Sequence, residues 1–108
     1  MATTNQITRI TLFKIPNAED QNKLLDIYKQ MPQKAVKDGK PYILNVKAGS
    51  AKPDQRAQGF TIGVVSTFAS QDDMVYYDEQ CAAHAELKAF AKSVHQGVMM
   101  MFFEDVMA

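Results

Sequence analysis

The order of strand-like and helical stretches is the feature that most restricts the fold of this chain. Stretches rich in β-branched, aromatic or methionine side chains predict four strands, at residues 7–15, 41–48, 60–68 and 98–106. Capping residues and apolar side chains at helical spacing predict helices at residues 17–32, 70–77 and 82–94. The first and last of these are the main helices, so the order is that of a ferredoxin-like βαββαβ fold. This is an α+β class with one antiparallel sheet.

The predicted sheet carries apolar side chains on both faces. Alternation along the first strand places Thr11 and Phe13 on one face and Ile10 and Leu12 on the other. Helices in this arrangement cover only one face, and the last strand is apolar on both faces and should be covered on both. A second copy of the sheet is the simplest cover for the outer face, so we expect a homodimer.

Composition limits the classes of protein and partner. A chain of 108 residues predicts a single domain over residues 1–108. Twelve basic and twelve acidic residues give no net charge, so we expect neither a nucleic-acid partner nor a charged membrane partner. The lone Cys81 excludes an internal disulfide and a zinc cluster, and we expect no metal and no cofactor. With no secretion signal and no long apolar run, the expected compartment is the cytoplasm.

Residues 72–90 concentrate the side chains with useful chemistry. His84 is predicted in the first turns of the second main helix, and an ordinary histidine pKa near 6.5 suits a general base. The plainer interpretation is that His84 hydrogen-bonds a neighbour. Cys81 lies one turn earlier, where packing is a simpler interpretation than a reactive thiolate.

Several motifs together resemble those of the stress-responsive dimeric α/β-barrel (Dabb) family, particularly its fungal branch. They are the strand motif at 9–14 (RITLFK), the opening of the third strand at 59–61 (GFT) and its end at 68–70 (FAS), and Tyr77 followed by Ala83-His84. The resemblance covers nearly the whole chain. It implies a homodimer whose two sheets form a barrel, with a pocket between each sheet and its own helices.

The resemblance also implies a candidate site. Plant members of the family that close polyketide rings match this chain at His84, which with Tyr77 is the predicted catalytic pair, and at Tyr28. The cyclases have histidines where this chain has Arg9 and Ile62. Which tyrosine partners His84 stays open. Two activities also stay open: polyketide cyclisation, or ligand binding without a reaction.

Strand alternation and helical spacing predict the binding residues of the pocket. These are Thr11, Phe13, Leu24, Tyr28, Ile62 and Val64, with Arg9 beside them. Arg9 could bind a ligand carboxylate, although pairing with a carboxylate of the chain, such as Glu104 or Asp105, is the simpler interpretation. His95 is expected to offset the dipole at its helix end. Residues 49–59 could form a lid or an ordinary loop.

Three functions fit this pattern. The first is a barrel that either only binds a small apolar, aromatic or polyketide-like molecule or also cyclises or otherwise transforms it. The second is a non-catalytic dimer with a protective or regulatory role. The third, from fold analogy alone, is a monooxygenase-like dimeric barrel.

Overall fold

A four-stranded antiparallel sheet is the frame of the molecule. The structure is a computed structural model and describes residues 6–107. The strands are β1 Ile7–Lys14, β2 Val36–Lys37, β3 Lys40–Pro41, β4 Ile43–Ser50, β5 Ile62–Phe68 and β6 Gly97–Glu104. The helices are α1 Ala18–Lys34, α2 Gln71–Glu79 and α3 Ala82–Val94, with a short 3₁₀ turn at Gln55–Ala57. The main sheet has the order β4-β5-β1-β6, which confirms the ferredoxin-like prediction.

The helices pack on one face of this sheet, as the alternation of side chains predicts. Along β1, every second residue is buried, and β5 repeats the pattern from Ile62 to Phe68. The register places Thr11 opposite Val64 on β5 and opposite Met100 on β6. The core therefore lies between the inner face of the sheet and the helices, and β1 runs through its middle.

The first helix begins where the sequence predicts and ends later. The Asn17 side chain accepts a hydrogen bond from the backbone N–H of Glu19, which is a typical N-cap. Pro32 lies inside the last turn, so the prediction that it ends the helix is wrong. Met31 and Ala35 on either side of it are almost fully buried. Packing of this turn thus offsets the single backbone hydrogen bond that a proline removes.

The connection after α1 contains a small hairpin that the sequence pattern did not predict. Strands β2 and β3 pair around Asp38 and Gly39, which both have positive φ, 54° and 77°. That backbone suits a tight two-residue hairpin turn, which an aspartate-glycine pair favours. The following strand is shifted relative to its predicted range, since β4 begins two residues after Pro41 and continues to Ser50.

The last strand lies at an edge of the sheet and is exposed on both faces. Met99 and Met101 project from the outer face, and Val98 and Met100 project from the inner face near α3. All four are 41–53% exposed. The prediction that the last strand is covered on both faces is therefore wrong for a single chain, because α1 and α3 do not extend over this edge. No helix within residues 6–107 is long and apolar enough to cross a membrane.

Candidate functional site

A cavity of about 320 Å³ lies between the sheet and α3, beside the exposed strand β6. Four elements contribute its walls: β1, α1, α3 and β6. The lining residues are Arg9, Thr11, Phe13, Tyr28, His84, Leu87, Lys88, Ala91, Lys92, His95, Val98 and Met100. Most of this wall is apolar, and its polar groups are basic side chains, a tyrosine and a threonine. The space is large enough for a small organic molecule.

The ring of His84 is held in one tautomer. Its Nδ1 lies 2.8 Å from the backbone carbonyl oxygen of Tyr77, and a carbonyl can only accept a hydrogen bond. The hydrogen of the neutral ring therefore resides on Nδ1, and Nε2 carries the lone pair. No side chain or backbone group within residues 6–107 hydrogen-bonds Nε2. His84 thus brings a hydrogen-bond acceptor to the cavity wall.

Burial keeps this imidazole uncharged. His84 is only 3% exposed, and loss of solvent lowers its pKa from 6.5 to about 4. The Tyr77 carbonyl acts in the opposite direction, and so does Asp78, whose Oδ1 lies 3.6 Å from Nδ1. The nearby Arg9 guanidinium lowers the pKa further. At neutral pH the ring is therefore a neutral acceptor and a weak base.

Arg9 is paired with Asp78, at the end of α2. Its Nη1 lies 2.6 Å from Asp78 Oδ1, and the guanidinium lies 5.3 Å from the centre of the Tyr77 ring. Arg9 therefore pairs with a carboxylate, as predicted, but the suggested partners Glu104 and Asp105 are wrong, because the side chain lies against α2, over the Tyr77 ring. The Lys88 ammonium donates to the backbone carbonyl of Asp78. The carboxylate of Asp78 thus compensates the charge of Arg9.

Two tyrosines lie close to His84 and stay protonated at any physiological pH. Burial raises the pKa of Tyr28 and of Tyr77 well above the ordinary value of 10, more than the nearby Arg9 lowers it. Tyr28 packs on Phe13, with 6.4 Å between ring centres, and lines the cavity. Tyr77 lies behind His84, where its ring stacks on the imidazole and packs at a tilt against Phe68. Tyr28 is therefore part of the cavity wall, whereas Tyr77 contacts the imidazole without lining the cavity.

The structure brings together most, but not all, of the predicted site residues. Arg9, Thr11, Phe13, Tyr28 and His84 share the cavity. The other predicted binding residues, Leu24, Ile62 and Val64, are packed in the core and do not line it.

Sequence reasoning missed the wall formed by the rest of α3 and by β6. Residues Leu87, Lys88, Ala91, Lys92 and His95 follow His84 at intervals of three and four, so they share its helix face. That spacing was the available signal. No local sequence signal indicates that β6 contributes to the wall, because that contribution depends on the pairing of β6 with β1, which is far away in sequence.

A second, wider cavity of about 660 Å³ lies on the outer face of the sheet. Leu12, Val65 and Met99 form its floor, and the segment around Phe60 borders it. The loop at 49–59 therefore lies beside the outer face and contributes nothing to the wall around His84. Cys81 is buried and without a disulfide partner, as expected for a packing residue.

Comparison with known sequences identifies a family and a fungal relative. Residues 7–105 match the stress responsive A/B barrel domain. A fusaristatin A biosynthesis cluster protein of Gibberella zeae is 38% identical over 101 residues. The match covers 93% of this chain and 73% of that relative.

Comparison with solved structures supports the same fold at low sequence identity. A hydroxynitrile lyase from Passiflora edulis superposes with a TM-score of 0.78 at 16% identity, and the match covers 94% of each chain. A dimeric ferredoxin-like protein of unknown function from Thermobifida fusca gives 0.77 at 16% identity, covering 97% of this chain and 95% of that chain. These similarities establish the fold and leave the chemistry to the site itself.

Proposed function

Because this chain belongs to the stress responsive A/B barrel domain family, we propose that it binds a small, mainly apolar, polyketide-like molecule in the cavity beside α3. In this proposal a hydroxyl or enol group of the ligand donates a hydrogen bond to Nε2 of His84. The observation that carries the proposal is the fixed tautomer of His84, which leaves an unoccupied acceptor at the wall of an apolar cavity.

The rest of the cavity wall suits such a ligand. Phe13, Leu87 and Met100 offer apolar surface for a ring or chain. Tyr28 also lines the cavity, and its hydroxyl keeps its proton, so it can donate a hydrogen bond to a ligand oxygen. One acceptor and one donor in an apolar wall would orient the ligand while hydrophobic burial supplies most of its affinity.

The chemistry of the site favours binding over rapid proton transfer. Ring closure by aldol chemistry needs a base that removes a proton next to a carbonyl, and such a base works best with a pKa near the ambient pH. His84, with a pKa of about 4, is a much weaker base. Tyr28 could still stabilise an enolate by donating to it. We therefore propose ligand binding as the primary role and slow, His84-dependent cyclisation or lyase-type chemistry as the secondary one.

The relatives give this role a biosynthetic setting. The fungal relative is named for the biosynthesis cluster of fusaristatin A, and the plant protein of the same fold is a lyase. Both names support the proposal that this chain handles an intermediate or product of secondary metabolism.

We also propose that the chain acts as a homodimer with facing sheets. Leu12, Met99 and Met101 form part of an exposed apolar surface on the outer face, around the wider cavity. A patch of this kind marks an interaction surface, and closed two-fold symmetry is the commonest way to cover it. The dimeric description of the Thermobifida fusca protein supports the same arrangement.

Titration calorimetry and NMR can test the binding proposal. The probes are hydroxylated aromatic acids and linear polyketide thioesters, added to the wild type and to His84→Gln. Loss of one hydrogen bond should weaken binding by up to about tenfold. The matched control is Glu86→Gln, also on α3 but directed to solvent, which should bind as the wild type does.

Unchanged affinity of His84→Gln, or NMR shifts confined to residues away from α3 and β6, would overturn the proposal. The same thioesters provide a turnover assay. Cyclisation that His84→Gln abolishes would support the secondary, catalytic role, and absence of turnover by the wild type would overturn that role alone.

A further inference from the structure

The cavity contains a second imidazole, at the opposite end of α3 from the first. His95 follows His84 by eleven residues, which is about three helical turns or ~16 Å along the axis. Lys88 and Lys92 lie between them on the same helix face, together with Leu87 and Ala91. The cavity therefore extends along the helix, with a polar group near each end and an apolar middle.

The two imidazoles differ in how they are held. His84 Nδ1 is fixed by the Tyr77 carbonyl, as described above. His95 Nδ1 is buried and has no hydrogen-bond partner within residues 6–107. A buried polar atom without a partner is uncommon in a folded protein and calls for an explanation. No internal hydrogen bond selects the tautomer or the ring orientation of His95, so this ring can adapt to a bound group.

The basic side chains that line the cavity differ in how far the protein itself engages them. Arg9 is paired with Asp78, and Lys88 is bonded to the carbonyl of the same residue. Lys92 forms no ion pair with any residue in the described part of the chain. No aspartate or glutamate from residues 6–107 lines the cavity.

Basic residues near a helix end commonly serve only to offset the helix dipole. That role requires no contact with a cavity. Lys92 and His95 both line one, together with the apolar side chains of Val98 and Met100. Their position on the cavity wall therefore needs a further reason, and a ligand with an acidic group supplies it.

We propose that the cavity accepts an elongated molecule with two polar ends, of the hydroxy acid or keto acid class. Its acidic group binds Lys92 and His95, its apolar middle lies against Leu87, Ala91 and Met100, and its hydroxyl or enol reaches Nε2 of His84. This inference rests on the proposed binding role and adds the shape, the charge and the orientation of the ligand.

The test compares three probes of equal chain length: a linear ω-hydroxy fatty acid, its methyl ester and the fatty acid without the hydroxyl. We expect the wild type to bind the hydroxy acid most tightly. Lys92→Gln should weaken binding of both acids by about threefold, because an exposed charge contributes little. His95→Gln should weaken it by about tenfold, because the ring makes a hydrogen bond to a charged group. Neither substitution should change the affinity for the methyl ester.

Lys23→Gln on α1 is the matched control, since Lys23 is exposed and lines none of the cavities described. The His95 ring nitrogens, followed by NMR, should shift when the acid is added and stay unchanged with the ester. A purely structural role for His95 would produce no such difference.

Two outcomes distinguish the elongated-ligand inference from the proposed binding role. Compact hydroxylated aromatic acids that bind in a His84-dependent way, with Lys92→Gln and His95→Gln indistinguishable from the wild type, would overturn the elongated-ligand inference alone. Absence of binding by every probe of both sets would overturn both.

Discussion

The imidazole of His84 lies nearly parallel to the phenol ring of Tyr77, with 3.6 Å between ring centres and 10° between planes. The same Tyr77 accepts the Nδ1 hydrogen bond through its backbone carbonyl. One residue thus fixes both the tilt and the tautomer of the imidazole. The acceptor that faces the cavity therefore depends on a residue that does not itself line the cavity.

The first prediction concerns this stacking contact. Tyr77→Leu should lower the free energy of unfolding by about 2–4 kcal/mol, because it leaves a void between Phe68 and His84. Tyr77→Phe keeps the ring and should cost less than about 1.5 kcal/mol. Urea unfolding measures both. Equal stability of the two variants would show that the ring contributes nothing to this packing.

The second prediction concerns acid stability. Unfolded His84 binds a proton near pH 6.5, whereas the folded residue does so only near pH 4, so the unfolded state binds more protons between these values. Stability should therefore fall as the pH is lowered from 6.5 to 4, with about 3 kcal/mol attributable to this group. When the free energy of unfolding in urea is plotted against pH across this range, the slope should be shallower for His84→Gln than for the wild type. An identical slope for the wild type and His84→Gln would contradict the prediction.

The third prediction concerns the pair formed by Arg9 and Asp78. Asp78→Ala leaves the largely buried guanidinium without its partner and should cost about 2 kcal/mol. Arg9→Met in the same background should recover part of that loss, since the unpaired charge is then gone. Urea unfolding of the four proteins gives a coupling energy, expected at about 1–3 kcal/mol. Strict additivity would show that the two side chains do not stabilise each other.

The fourth prediction concerns the outer face of the sheet. Met101→Asp should shift the protein from dimer to monomer at micromolar concentration, because it places a charge in the proposed interface. Met101 is 53% exposed in the single chain, so the change should leave the monomer folded. Val75→Asp, at an exposed apolar position on α2, is the control and should leave the dimer intact. If sedimentation shows the wild type as a monomer at every concentration tested, the proposed dimer itself is rejected.

Local patterns predicted most of the fold correctly. The alternation along β1 and the range of α3 are confirmed because burial in these elements follows a regular period. The cap at Ser70, whose hydroxyl accepts from the N–H of Asp73, follows from local chemistry as well. Pro32 misled the prediction because tertiary packing outweighed a local rule. Strands β2 and β3, with two residues each, are too short to leave a pattern.

The site was less predictable because it depends on distant contacts. The partner of Arg9 is 69 residues away in sequence, and no local pattern singles out Asp78 from the other acidic residues of its segment. The resemblance to a family indicated His84 and Tyr28, which share the cavity. It could not indicate His95, because the wall that His95 joins exists only once β6 has paired with β1.

The central place of β1 has a consequence for how this protein is made. Both neighbours of β1 in the sheet, β5 and β6, come from the second half of the chain, and Ile7 is paired with Phe68 on one side and Glu104 on the other. Strand β1 therefore leaves the ribosome before both of its partners and cannot complete the sheet until β5 and β6 have been synthesised. Pairings between residues so far apart in sequence slow folding and leave apolar strands open to mispairing in the interval. Strand β6, with its exposed methionines, emerges after β5, so protection of β1 against mispairing is needed until β6 has emerged.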